Sequence, residues 1–318
     1  MFQNNLSYDE NSVCTKREIL KQSSSVYDPL GILSPITVKT KILMQSIWEQ
    51  KFEWDQPLPE DINLYWIEIL DDLRKGLNIE IPRFLFRKRS TYINCQERSF
   101  SLHIFTDASQ SAYGTCAYLV SDDESALGMT RNRVAPLKRI TLPKLELMGA
   151  VLGARLAKHL FHNLNLDTNT EVNFWSDSQI VLRWITSTKP LQSFIINRTK
   201  EILLCVSNQR WRYCPTETNP ADLLTRGTTY EKFTGADIWF TGPKWIRNKL
   251  DWPTWSGNQG ESPEEMETDI LTTVTNTNHT LLTSTMPEET GINQAIDIHR
   301  FSSLKRFLDP VAHLVVKF

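Results

Sequence analysis

Residues 101–120 read SLHIFTDASQSAYGTCAYLV, a stretch that contains two runs with the period of a β-strand. In the first run, every second residue from Leu102 to Thr106 shares one face, and every second residue from His103 to Asp107 shares the other. The second run spans Tyr113 to Val120. Because a short polar segment separates the two runs, the stretch predicts a hairpin at the start of a sheet.

Downstream of this hairpin, helix and strand patterns alternate. A helical pattern opens at Pro143 and continues through Leu164, a strand pattern covers Val172 to Ser176, and a second helical pattern covers Ser178 to Ile185. Strands followed by alternating strand and helix favour an α/β or α+β layered fold.

Upstream of the hairpin, the first hundred residues are predicted to be mainly helical. Apolar residues recur at helical spacing from Ile36 to Phe52, after Pro35, which the first turn of a helix tolerates. A second amphipathic helix is predicted from Ile62 to Leu73, ended by Gly76.

The composition changes after Trp255. No Lys or Arg occurs between Lys249 and Arg300, while Glu and Thr accumulate. Such a segment cannot bury enough apolar surface to offset its ordering entropy, so we expect a disordered acidic linker. An apolar pattern from Ile296 to Val316 then predicts a terminal helix.

Composition excludes several classes of protein. The 318 residues carry a net charge of −2, and the five cysteines include no C-x-x-C pair, which argues against a disulfide framework or a zinc cage. No apolar run reaches the length of a membrane span, and no secretory signal is recognisable, so we expect an intracellular protein without a membrane partner. Residues 100–227 carry 14 basic and 11 acidic side chains, which permits a polyanionic partner.

Four carboxylates fall at the ends of predicted elements, where side chains can point into a shared site. They are Asp107, Glu146, Asp177 and Asp222. Glu146 is placed in the first turn of the long helix, and Asp222 follows Asn219 as N-cap and Pro220 as the first helical residue. Each acid taken singly also fits an ordinary helix cap or first-turn position. Together they would repel one another unless hard cations neutralised them, and oxygen ligands suit Mg²⁺ or Mn²⁺. The set therefore indicates a two-metal hydrolytic site.

These acids lie in segments that resemble the signature segments of a retroelement ribonuclease H. In chain order the segments are IFTDASQSAYG, LPKLELMGAVLGARLA, FWSDSQIVLRWI and NPADLLTRG. Outside them, KREILK, YDPLGILSPITVKTKILMQSIWE, WDQPLPE and WFTGPKW resemble polyproteins of BEL/Pao-class long-terminal-repeat retrotransposons. The resemblance covers roughly residues 14–255. The part of the polyprotein that these residues resemble is the segment that joins the reverse transcriptase to the ribonuclease H.

The resemblance implies a fold and a division into domains. The fold is α/β, a ribonuclease H-like mixed sheet flanked by helices, preceded by a mainly helical thumb and connection region and followed by the acidic linker. The expected segments are 1–98 (thumb and connection), 99–228 (ribonuclease H), 229–256 (Trp-rich extension), 257–294 (linker) and 295–318 (a helix leading toward an integrase).

The resemblance also implies a role for each acid. Asp107 would bridge both metal ions, Glu146 would ligate and touch the substrate ribose, Asp177 would ligate, and Asp222 would hold the ion that activates water. The cofactor is expected to be two Mg²⁺ ions, with Mn²⁺ as a substitute, and the partner an RNA/DNA hybrid. The reverse transcriptase palm and the integrase are the other expected partners, in a cytoplasmic virus-like particle or in the nucleus.

Residues near the acids are weaker candidates for contacts with nucleic acid, and a solvated polar face is the alternative interpretation. They are Ser109, Lys138, Arg139, Lys144, Ser178 and Arg226. Gly149 and Gly153 follow Glu146 on one helical face, where tight packing on the sheet is favoured over approach of nucleic acid.

The sequence differs from the family pattern in two respects and also lacks a protease motif. No His occurs between His162 and His279, where many ribonucleases H carry a loop His before the last Asp. The chain also lacks the Y-x-D-D motif of a polymerase and the D-[ST]-G motif of an aspartic protease.

The main hypothesis is hydrolysis of the RNA strand of RNA/DNA hybrids. The first alternative is a catalytically inactive module from a decayed retroelement that still binds nucleic acid. A second alternative, an integrase-type nuclease, is disfavoured because those enzymes order their acids D, D, E, whereas Glu146 comes second here.

Overall fold

Five strands form a mixed sheet in the order β3-β2-β1-β4-β5 in the computed structural model, which describes residues 14–80, 100–121, 124–167, 170–207 and 209–254. The strands are β1 (Ser101–Ala108), β2 (Ala112–Ser121), β3 (Glu124–Val134), β4 (Glu171–Ser176) and β5 (Gln209–Tyr213). The first three are antiparallel, whereas β4 and β5 run parallel to β1. The expected mixed sheet flanked by helices is confirmed.

Nine α-helices surround this sheet in the described ranges. They are α1 (Lys16–Ser24), α2 (Ser34–Glu49), α3 (Glu60–Gly76), α4 (Leu142–Asn163), α5 (Gln179–Thr186), α6 (Ser193–Cys205), α7 (Leu223–Arg226), α8 (Tyr230–Thr234) and α9 (Asp237–Thr241). Four 3₁₀ turns cover Thr216–Thr218, Pro220–Asp222, Lys244–Arg247 and Lys249–Asp251. No helix in the described part of the chain is long and apolar enough to span a membrane.

The two faces of the sheet carry different layers. Helix α4 lies on the face of Ile104 and Thr106, where Gly153 allows close approach because a Cβ there would lie 2.7 Å from Thr106 Cγ2. The opposite face contributes Phe105 and Trp175 to an apolar cluster. That cluster continues without a break into α1, α2 and α3, so the N-terminal helices share a core with the sheet.

The segment before α2 covers the edge of the sheet. Strand β3 is an edge strand, and its Thr130 N–H donates to Leu30 O at 2.8 Å. Thr130 Oγ1 donates to Gly31 O at 2.6 Å. Gly31 has a φ of 74°, and a Cβ at this position would lie 2.3 Å from Thr130 Oγ1. The Asp28 carboxylate accepts the N–H groups of Ile32 and Leu33, which orders the turn that leads into α2.

The Trp-rich extension packs on the same face as the N-terminal helices. Trp239 is fully buried and donates through Nε1 to Ile32 O at 2.9 Å. Trp245 and Trp252 contact Trp175 of β4, with ring centroids 4.6 and 5.3 Å apart. The extension therefore helps to build the core beneath the central strands.

Several sequence expectations differ from the structure in detail. Glu146 is the fifth residue of α4, just beyond the first turn in which it was expected, because the helix begins at Leu142. Asp107 lies inside β1 and not after it. The acidic linker at 257–294, the terminal helix at 295–318 and the boundary at 98/99 lie outside the described residues, and the domain boundaries stay a prediction.

Candidate active site

Asp107 and Asp177 meet because their strands are parallel neighbours. Thr106 of β1 pairs with Ser176 of β4, so the residue that follows each occupies the same end of the sheet. Asp107 is almost wholly buried, with 6% of its surface exposed, and Asp177 is partly buried. Parallel pairing with this register thus places two carboxylates that are distant in sequence side by side.

Glu146 joins them from α4. A Cβ at Gly149 would lie 3.0 Å from Asp107 O, so this glycine lets the helix backbone approach the end of β1. The packing interpretation of Gly149 and Gly153 is therefore confirmed. The close approach brings the side chain of Glu146, one turn before Gly149, to the carboxylates of the strand ends.

The three side chains form a cluster with the dimensions of a metal site. One oxygen each from Asp107, Glu146 and Asp177 can be chosen such that all lie within 4.8 Å of one another. Glu146 Oε2 and Asp177 Oδ1 are buried and have no hydrogen-bond partner within the described ranges. Buried carboxylate oxygens that accept no hydrogen bond fit a site in which a cation binds them instead.

The electrostatics of the cluster oppose full ionisation. The pKa of Asp107 is raised to about 7, mainly by burial. The charges of Asp177 and Asp222 also raise this pKa, whereas a hydrogen bond from Thr225 lowers it. Burial and the neighbouring acids raise the pKa of Glu146 well above its ordinary value. The pKa of Asp177 is raised by burial as well, although hydrogen bonds from Thr216 and Asn219 lower it. A divalent cation would remove this repulsion.

Asp222 lies beside this cluster but does not belong to it. It ends a 3₁₀ turn that Asn219 caps, as the sequence predicts, through the Ala221 N–H at 3.1 Å. Its Oδ1 pairs with Arg226 Nε at 2.8 Å on a partly exposed surface. The charge of Asp222 still raises the pKa values of Asp107 and Asp177, so the four predicted acids are neighbours.

Two side chains that the sequence did not identify as site residues support the cluster, one of them Asn219, which was predicted only as an N-cap. Thr225 Oγ1 donates to Asp107 Oδ2 at 2.5 Å. Asn219 Nδ2 donates to Thr106 O at 3.1 Å, next to Asp107 in the chain. Both side chains are buried. Their place in the segment that contains Asp222 is the signal that could have identified them.

The residues predicted to contact nucleic acid fall into three groups. Ser109 Oγ donates to Thr225 O at 2.9 Å, and Ser178 Oγ caps α5 by accepting the Val181 N–H, so both hydroxyls stabilise the fold. Lys138 and Arg139 are exposed in the loop between β3 and α4, and Lys144 is half-buried in the first turn of α4. Arg226 is exposed beside Asp222.

Solved structures similar to this chain include two ribonucleases H. The N-terminal RNase H domain of a Mycobacterium tuberculosis protein, solved as a fusion with maltose-binding protein, is 18% identical over 43% of this chain and 99% of that chain, with a TM-score of 0.32. The enzyme from Halobacterium salinarum is 17% identical over 43% and 99%, with a TM-score of 0.30. A foamy viral protease-reverse transcriptase in complex with double-stranded DNA is 14% identical over 65% and 39%, with a TM-score of 0.38. No curated protein matches the chain.

The family comparison covers more than half of the sequence. Residues 15–178 match the family model described as the Pao retrotransposon-like RNaseH-like domain. The matched range contains Asp107, Glu146 and Asp177 together with the N-terminal helices, and it ends before Asp222. The chain belongs to the Pao retrotransposon RNaseH-like domain family.

Proposed function

We propose that this chain is a ribonuclease H that hydrolyses the RNA strand of RNA/DNA hybrids during reverse transcription. The observation that carries the proposal is the convergence of Asp107, Glu146 and Asp177, whose oxygens lie within 4.8 Å of one another. Membership of an RNaseH-like family supports the same function.

The donor set supports Mg²⁺, with Mn²⁺ as a substitute. All three clustered side chains offer carboxylate oxygens, which hard divalent cations prefer. Glu146 Oε2 and Asp177 Oδ1 are buried and accept no hydrogen bond within the described ranges. Bound cations would supply activation of a water molecule and stabilisation of the charge on the leaving oxygen. Asp107, Glu146 and Asp177 would hold them, and Asp222 would join the set by giving up its pair with Arg226.

The chain's own residues prepare the site in two ways. Thr225 holds one oxygen of the buried Asp107 carboxylate, so the carboxylate keeps a fixed orientation at the end of β1. Lys138 and Arg139 are exposed in the loop that leads into α4, the helix that carries Glu146. Positive side chains beside an acidic site can hold the phosphate backbone without reading sequence, and the 2′-hydroxyl distinguishes RNA from DNA.

The resemblance to retrotransposon polyproteins extends the proposal to partners. We expect the chain to act beside a reverse transcriptase palm and an integrase in a cytoplasmic virus-like particle or in the nucleus. The N-terminal helices and the sheet share one hydrophobic core, which supports the view that the connection region and the nuclease behave as one unit.

Substrate selectivity tests the proposal. The purified chain in Mg²⁺ is given an RNA/DNA hybrid, single-stranded RNA of the same sequence, and duplex DNA. Cutting of the hybrid RNA alone is the expected result. Hybrid binding that persists in EDTA without any cutting in Mg²⁺ would instead favour the inactive binding module, and joining of DNA ends would favour an integrase-type nuclease.

A further inference from the structure

Asn219 is a buried polar residue at the junction of three elements that carry acids. Only 4% of its surface is exposed, and it lies directly before the 3₁₀ turn that ends at Asp222. We infer that Asn219 is a positioning residue, which holds the carboxylates of Asp107, Asp177 and Asp222 in the arrangement that binds divalent cations. This inference rests on the proposed function.

The hydrogen bonds of Asn219 reach all three elements. Its Nδ2 donates to Thr106 O at 3.1 Å, which ties it to β1 one residue before Asp107. Its Oδ1 accepts the Ala221 N–H at 3.1 Å, one residue before Asp222. A further hydrogen bond from the same side chain lowers the pKa of Asp177, which follows β4. One amide thus binds backbone groups next to Asp107 and Asp222 and also acts on Asp177 itself.

The chemistry of the amide suits this task. A Lys or Arg in the same place would neutralise Asp177 and compete with a cation for its oxygens, whereas a neutral amide orients the carboxylate and leaves its charge available. Hydrogen bonds to ligating carboxylates are typical of metal sites, and losing such a partner costs roughly ten- to hundredfold in metal affinity or activity.

The rival explanation is that Asn219 merely caps a turn. Asn248 provides the matched control, because its Oδ1 accepts the Leu250 N–H at 3.1 Å at the start of the 3₁₀ turn Lys249–Asp251. Unlike Asn219, Asn248 is exposed, and its amide donates to Asp251, away from the acidic cluster. Serine is itself a good N-cap, so Asn→Ser keeps the cap at either position and removes the longer amide contacts.

The test is a calorimetric titration of the full chain with Mg²⁺, without nucleic acid, for the wild type, Asn219→Ser and Asn248→Ser. We expect Asn219→Ser to bind Mg²⁺ roughly ten- to hundredfold more weakly and Asn248→Ser to bind like the wild type. In hybrid cleavage, kcat should fall for Asn219→Ser while the KM for the hybrid stays unchanged. Wild-type Mg²⁺ affinity in folded Asn219→Ser would overturn the inference.

Two further outcomes keep this inference separate from the proposed function. If the wild type binds Mg²⁺ but does not cut hybrids, the nuclease proposal fails, and weaker binding by Asn219→Ser still supports the positioning role. If Asn219→Ser does not fold, Asn219→Asp keeps the shape and the cap acceptor but loses the donors. Its kcat at saturating Mg²⁺ should be at least about tenfold lower than that of the wild type, and an unchanged kcat would overturn the inference.

Discussion

Thr225 Oγ1 lies 2.5 Å from Asp107 Oδ2, although 118 residues separate the two in sequence. Both side chains are buried, so this contact joins α7 to the central strand in the buried part of the site. Hydrogen bonding to the ionised form favours ionisation, and the bond from Thr225 opposes the effect of burial on the pKa of Asp107. The short segment after Asp222 therefore helps to keep the central carboxylate able to bind a cation.

Replacing Thr225 by Val removes that donor without a large change of shape. We expect the folded chain to lose about 1–3 kcal/mol of unfolding free energy at neutral pH, because a buried acceptor is left unsatisfied. The pKa of Asp107 should rise further, which moves the acidic limb of the activity–pH profile upward. Urea unfolding and the pH profile measure both effects. The control is Thr234→Val, which removes an exposed hydroxyl that donates to Tyr230 O; equal behaviour of the two variants would contradict the assigned role.

Without metal, stability should depend on pH through Asp107, and Glu146 and Asp177, whose pKa values are also raised, contribute in the same direction. The pKa of Asp107 is about 7 in the folded chain against an ordinary value of 3.8, so between these values the folded state binds more protons than the unfolded state. In EDTA, the free energy of unfolding should therefore fall as pH rises from about 4 to about 7, by up to about 4 kcal/mol. Mg²⁺ should restore stability at pH 8, because it binds the ionised cluster.

Asp107→Asn tests this dependence directly. The variant should lose the part of the decline in EDTA that Asp107 contributes and should be more stable than the wild type at pH 8, where the wild-type carboxylate is charged. Thermal unfolding across the pH range gives the comparison. A decline of the same size in the variant would assign the pH dependence to other groups.

Arg226→Gln distinguishes two roles of this exposed arginine, an ion pair with Asp222 and a contact with a phosphate of the hybrid. The pair with Asp222 has side chains that are 71% and 34% exposed, so its loss should change the unfolding free energy by less than about 1 kcal/mol. If Arg226 contacts phosphate, hybrid affinity should fall, and the slope of log K against log salt should shrink by about 1. Arg17→Gln is the control. Arg17 lies in α1 and forms an exposed ion pair with Asp55, in which Nε and Oδ1 are 2.6 Å apart. An unchanged salt slope for Arg226→Gln would remove Arg226 from the nucleic-acid interface.

Gly31→Ala tests how the N-terminal segment holds the edge of the sheet. The positive φ and the contact with Thr130 predict a loss of about 2–4 kcal/mol of unfolding free energy. Gly235→Ala is the control, because a Cβ there meets its nearest neighbour at an ordinary 3.7 Å. Equal denaturant midpoints for the two variants would show that the close approach of Gly31 to β3 does not contribute to stability.

The sequence predicted those elements whose periodicity reflects burial. Strands β1, β2 and β4 and helices α2, α3, α4 and α5 all lie where their patterns indicated, to within a few residues. Strand β3 gave no clear pattern because it ends in the polar residues Arg131, Asn132 and Arg133, at an edge that the segment before α2 covers. Strand β5 has only five residues, with Arg210 and Arg212 at alternate positions, and α6 was missed as well.

The candidate site was also predicted only in part. Four acids in order could be selected from the sequence, because each stands near the end of an element. Their supporting contacts could not, because Asn219 reads as an N-cap and its partner Thr106 lies 113 residues away. The pairing of Asp222 with Arg226, by contrast, has the i,i+4 spacing of a helical ion pair, which the sequence could have indicated.

The most direct test of the carboxylate cluster is single-turnover cleavage of an end-labelled RNA/DNA hybrid in Mg²⁺. The wild type is compared with Asp177→Asn and with Asp61→Asn, a matched change at an exposed carboxylate in the first turn of α3. We predict that the wild type and Asp61→Asn cut the RNA strand and that Asp177→Asn is folded but does not cut. Cleavage by folded Asp177→Asn at the wild-type rate would contradict the claim that this cluster performs the hydrolysis.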